Sequence, residues 1–263
     1  MKKKLEFFRE LFRYRQYMIS SARANLKADV AGSKLNWLWW VLEPMGLMVM
    51  YAIIFGWLFQ NSIEYFPVFI FIGSTIWAFF SKTITSSVSL MKDNEMLISR
   101  IYIPKYILLV VEMFIEGFKM LISFGLTALL MIVFRVKVSL TILWVIPICF
   151  VMMVFTFGLG CILLNLGVFV NDLGHAMRIL MMIWMYFSGI FFDIETMVPE
   201  PFSTILLRYN FPAFIIHALR LVVINRQAPS LLGMILWLLV GTILSVFGLY
   251  SISKNENSYV KRI

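Results

Sequence analysis

The sequence predicts an all-α integral membrane protein with six transmembrane helices, an amphipathic interfacial helix before them, and short re-entrant helices between spans five and six. Three observations carry this. Of 263 residues, 61% are hydrophobic and 14% charged, and mean hydropathy is +0.88. Soluble domains run at about 45–50% apolar and about 25% charged, so a soluble enzyme is excluded, as is a disordered binder. Apolar runs near the length that crosses a bilayer, about 20 residues, recur along the chain. The basic residues, which give a net charge of +9, sit mainly between those runs. Bilayer orientation explains them better than nucleic acid does.

Residues 4–30 read as an amphipathic helix. Leu5, Phe8, Phe12 and Ile19 recur near helical spacing, and basic residues fill the other face. Such a helix is too charged to span and lies in the interface plane; a soluble docking helix is the alternative. No uninterrupted apolar run follows Lys2, Lys3 and Lys4, so a cleaved signal peptide is not expected. An interfacial segment, 1–34, thus precedes a transmembrane domain, 35–263.

Six spans are expected, at about 37–59, 65–91, 106–134, 142–170, 176–192 and 231–250. The first is interrupted by Glu43-Pro44. The second ends in a hydroxyl-rich third that contains Lys82. The fourth carries Gly158, Gly160 and Gly167, small residues that let helices approach closely. The fifth is short. Residues 193–228 are apolar yet broken by Pro199, Pro201 and Pro212. Short re-entrant helices suit that stretch if protein shields their backbone ends.

With both termini on one side, that side receives seventeen basic residues and the other five, counting Arg135, Lys137, Arg208, Arg220 and Arg226, with Lys119 inside a span. The positive-inside rule puts both termini in the cytoplasm.

No phosphate-binding loop, His-Glu-x-x-His or clustered His/Cys set occurs, so no catalytic residue and no metal ligand is assigned. Cys149 and Cys161 lie in one predicted helix, about 18 Å apart by rise, and cannot pair with each other. Glu112, Glu116 and Lys119 share one face of the third span. Ionisable groups there face a partner or a water-filled cavity; they either line a conduit or form a packing pair. The connection at 92–104 is short, amphipathic and of mixed charge, and is either an ordinary loop or a rigid element that a motor subunit could push.

Three stretches resemble the membrane subunit of ABC-2 type exporters of polysaccharides or teichoic acids. The first runs from Ala31 to Pro44 through Trp37, Trp39 and Trp40. The second is Gly73 to Phe80, then Asn94-Glu95-Met96-Leu97-Ile98 and Tyr102-Ile103-Pro104. The third is Asn171-Asp172-Leu173, Ser188-Gly189-Ile190-Phe191-Phe192, Val198-Pro199 and Asn210-Phe211-Pro212. Asn36, Asn171 and Phe211 depart from the usual residues.

The resemblance implies the ABC-2 (type V) exporter fold in a bacterial cytoplasmic membrane. It implies a homodimer, two ATP-binding-cassette ATPase subunits that carry the ATP and Mg, surrounding membrane lipids and a lipid-linked polysaccharide cargo, with no nucleic acid. It makes 92–104 a coupling helix, with Asp93, Asn94, Leu97, Arg100, Tyr102 and Pro104 as contacts. Trp77, Phe80, Glu112, Glu116, Lys119, Phe191 and Phe192 become conduit or gate candidates. A gradient-driven carrier or membrane-embedded enzyme is the competing expectation.

Overall fold

The computed structural model describes residues 9–58 and 63–259. Helices dominate, and no strand occurs among the described residues. In chain order they are α1 (Arg15–Asp29), α2 (Trp39–Tyr51), α3 (Phe66–Asp93), α4 (Glu95–Arg100), α5 (Tyr106–Val133), α6 (Val145–Phe169), α7 (Leu173–Tyr186), α8 (Ile194–Met197), α9 (Phe202–Tyr209), α10 (Phe211–Val223) and α11 (Leu231–Tyr259).

Four helical runs are long and apolar enough to cross a membrane: Asn36–Gly56, Phe66–Asp93, Leu140–Phe169 and Leu231–Glu256. A fifth appears if the bent pair α9 and α10, which meet at 95°, counts as one span. Helix α5, with 28 residues, also has the length. The helix expected at 176–192 is α7, which starts earlier and ends sooner, at Tyr186. Helix α7 has 14 residues, about 21 Å of rise against a hydrocarbon core of about 30 Å. It stops because the chain turns at Gly189, whose φ of +65° is left-handed. A Cβ there would lie 2.6 Å from Ile194 Cδ1, so the turn requires glycine.

Helix α3 is the centre, packed by α2, α5, α6, α7 and α10. Helix α6 pairs along its length with α11. The fourth-span glycines do what small residues do. A Cβ on Gly167 would lie 1.9 Å from the Val88 carbonyl oxygen of α3, and one on Gly158 would lie 2.6 Å from the Ser245 nitrogen of α11.

Two apolar clusters mark opposite ends. At one end Met18 and Ala22 of α1 pack with Met91, Ile107, Leu164, Ile252 and Tyr259, and with Leu97 and Ile98 of α4. Helix α1 is thus docked mainly on α5, with Phe12 and Ile19 left outward. Lys4 to Phe8 of the expected helix lie outside the described residues. At the other end Phe66, Phe69 and Ile70 pack with Tyr51, Phe55 and Ile224.

Candidate functional site

The connection between α3 and α5 is helical only over Glu95–Arg100, shorter than the expected 92–104. Asp93 closes α3 and accepts from Ser89 Oγ at 2.7 Å. The Asn94 side chain donates to the Leu90 carbonyl at 2.8 Å. These two bonds turn the chain between α3 and α4. Leu97 is half-buried against the α1 end, while Asp93 and Arg100 are exposed. Tyr102 is exposed, and its carbonyl accepts from Tyr14 Oη at 3.4 Å. Pro104 is buried and stops helix propagation ahead of α5. The result is a short helix with its apolar side held by the bundle and its charges outward.

The charged face of α5 meets the end of α1. Lys119 Nζ lies 2.7 Å from Asp29 Oδ2 and 3.0 Å from Glu116 Oε1. Glu116 is buried at 6% exposure, and Glu112 is half-buried. An unpaired buried carboxylate is costly, so the ammonium sits where both acids can share it. A second pair joins Lys82 of α3 to Glu43 of α2 at 3.6 Å. Both charges are in long apolar helices, where ionisable groups find one another.

At the opposite end α10 carries Arg220, 7% exposed. Its guanidinium donates to the carbonyls of Phe69 (3.2 Å from Nε, 3.1 Å from Nη2), Gly189 (2.6 Å) and Ile190 (2.8 Å). It also lies 3.3 Å over the Phe69 ring. The planar fork can reach three carbonyls at once. The correction is to its place: Arg220 is not a solvent-side cation but a clasp joining α10, α3 and the Gly189 turn. Removing it from the outer count only widens the charge asymmetry. The signal was present, since a lone Arg in the run from Phe211 to Val223 is costly unless partnered.

Asn210 ties the bend between α9 and α10 to the end of α7. It accepts from Trp184 Nε1 at 2.8 Å and donates to the Phe187 carbonyl at 2.8 Å. Phe191 is buried, stacked on Phe55 at 4.7 Å and edge-on to Tyr51 at 4.9 Å. Phe192 is half-buried. Trp77 and Phe80 are buried too, and Phe80 packs among Phe155, Trp184 and Phe211. The structure brings Phe191 to the α10 end but sets Phe80 and Trp77 within the core, apart from the α5 charges.

Long apolar helices, paired charges inside them and a clasped outer hairpin define a multi-pass membrane protein. The chain belongs to the ABC-2 type transporter family, whose pattern it matches over residues 16–224. It is similar to the O-antigen export system permease protein RfbA of Klebsiella pneumoniae, 28% identical over 231 residues and 88% of each chain. It is similar too to the protein of that name from Myxococcus xanthus, 27% identical over 210 residues, 78% of this chain and 79% of the relative. Membership makes this a transporter's membrane subunit rather than an enzyme.

Proposed function

We propose that this chain is the permease of an ATP-driven exporter that carries a lipid-linked cell-surface polysaccharide, of O-antigen or related type, across the bacterial cytoplasmic membrane. The likeness to O-antigen export permeases along 88% of both chains carries the reading. Two copies form the conduit. Helix α5 crosses, and α7 together with the chain that follows it to Phe192 makes a short crossing, so that with the four long apolar runs there are six spans, and both termini are cytoplasmic. ATP and Mg are held by two separate ATPase subunits. Helix α4 supports this role, because the outward Asp93 just before it and Arg100 at its end leave a charged surface beside a helix anchored in the bundle. The α9–α10 hairpin, with Phe191 and Phe192 beneath it, closes the far end of the conduit.

Depleting the chain and analysing the glycolipids of the cytoplasmic leaflet by mass spectrometry tests the reading. Accumulated lipid-linked polymer is expected. Unchanged glycolipids, with an ion gradient sufficient for transport by the isolated chain, would identify a carrier instead.

A further inference from the structure

A groove of about 1140 Å³ runs between α5 and α11 with α6 as its floor. Phe114 and Phe118 of α5 form one wall, Val246 and Tyr250 of α11 the other, and Met153 of α6 lies beneath. It reaches from Lys105 to Leu121, about 24 Å of helix rise. One leaflet's hydrocarbon is about half of 30 Å deep, so the groove spans a leaflet. Phe114 and Phe118 are left exposed on their own subunit.

The charged residues that line the groove are Glu10, Lys105 and Glu256. All three lie at its α1 end. Lys105 is 4% exposed; its ammonium lies 5.7 Å from the Tyr102 ring centre and within electrostatic reach of the Glu256 carboxylate. Among the described residues Lys105 faces the groove as its one cation, and a charge at such an apolar site is stabilised by anionic oxygens, so a phosphate entering the groove fits that position. A purely anionic headgroup does not fit the mouth, because Glu10 and Glu256 would repel it. Glu10 accepts from Tyr106 Oη and Glu256 pairs with Tyr102, and a headgroup carrying both a phosphate and a primary amine complements the mixed charge that they form with Lys105.

We propose that this groove holds one phosphatidylethanolamine molecule of the cytoplasmic leaflet. Its acyl chain lies along α5 and α11, its phosphate meets Lys105 and its ammonium meets Glu10 and Glu256.

The test is native mass spectrometry of the full-length chain from nanodiscs made of equal phosphatidylethanolamine and phosphatidylglycerol. The wild type should retain phosphatidylethanolamine over phosphatidylglycerol by about tenfold, the equivalent of one charge-assisted hydrogen bond. Lys105→Gln should reduce that retention by a similar factor, and Glu256→Gln should raise the share of phosphatidylglycerol. Equal retention of both lipids by the wild type would overturn the proposal. The wild type alone provides a second readout. A photoreactive phosphatidylethanolamine should cross-link to peptides spanning 114–121 and 246–256. Cross-links elsewhere only, or a disulfide between two copies bearing Phe118→Cys, which would put a second subunit in the groove, would refute it.

Discussion

Lys119 of α5 lies 2.7 Å from the Asp29 carboxylate at the end of α1. That ion pair joins α1 to a long helix, and Glu116 supports it from one turn away. Asp29 is half exposed, so the pair contributes on the order of 0.2–1 kcal/mol. A double-mutant cycle of Asp29→Ala and Lys119→Ala should return a coupling energy in that range. Lys119→Ala alone should cost more, because it strands the buried Glu116. Equal losses for the two single variants would show that Glu116 does not need the ammonium.

Arg220 has a larger effect. Removing it leaves the carbonyls of Phe69, Gly189 and Ile190 without their donor. Arg220→Ala should cost about 3–5 kcal/mol, in line with broken buried charge networks. Arg220→Lys should recover only part of this, because a point ammonium lacks the planar fork. Thermal unfolding of the purified chain measures both. Full recovery by lysine would mean that charge alone, not the fork, holds the hairpin.

The long apolar runs of the first, second, fourth and sixth spans were legible because hydropathy over about 20 residues is a one-dimensional signal. The helix of α1 was legible in its periodicity. The end of the fifth was not. Phe187 to Phe192 are apolar enough to extend the run, but the chain turns at Gly189, and a hydropathy window does not see φ. The clusters were half legible. Glu116 and Lys119 are three residues apart, so a shared face follows from spacing, whereas Asp29 is 90 residues away and only the fold brings it in. The same holds for Glu43 and Lys82, each visible as a charge in an apolar run but not as a pair. Arg220 was counted by its sign when its sequence context, Leu219-Arg220-Leu221, asked for a buried partner.

A polar clasp closes α6 against α11. Asn165 Oδ1 accepts from Tyr259 Oη at 2.6 Å and from Asn255 Nδ2 at 3.0 Å, and its amide donates to Ser251 Oγ at 2.8 Å. Tyr259→Phe keeps the ring in place and removes one donor, so the cost should be about 0.5–1.5 kcal/mol. Asn165→Leu should cost more, since it leaves Tyr259 Oη buried without an acceptor. Melting curves of the two variants rank them. The reverse order would place the main support of this end in the ring rather than in the amide.

The exposed charges flanking α4 give the sharpest test of coupling. Asp93 and Arg100 lie on the solvent side of an element whose apolar side, through Leu97 and Ile98, is fixed to the α1 end. Reversing both charges changes nothing in the core, although Asp93→Lys loses the bond from Ser89. Expression and melting temperature should therefore stay within the range of surface substitutions, about ±0.5 kcal/mol per site. Binding to an ATPase should fall, because like charges then face each other across the contact. Co-purification of the ATPase with Asp93→Lys/Arg100→Glu, beside the single Asp93→Asn as a control for the Ser89 bond, separates the two effects. Loss of the ATPase from the double variant alone is the expected result. Normal assembly and export by the double variant would make this segment a connecting loop and move the motor contact elsewhere on the cytoplasmic face.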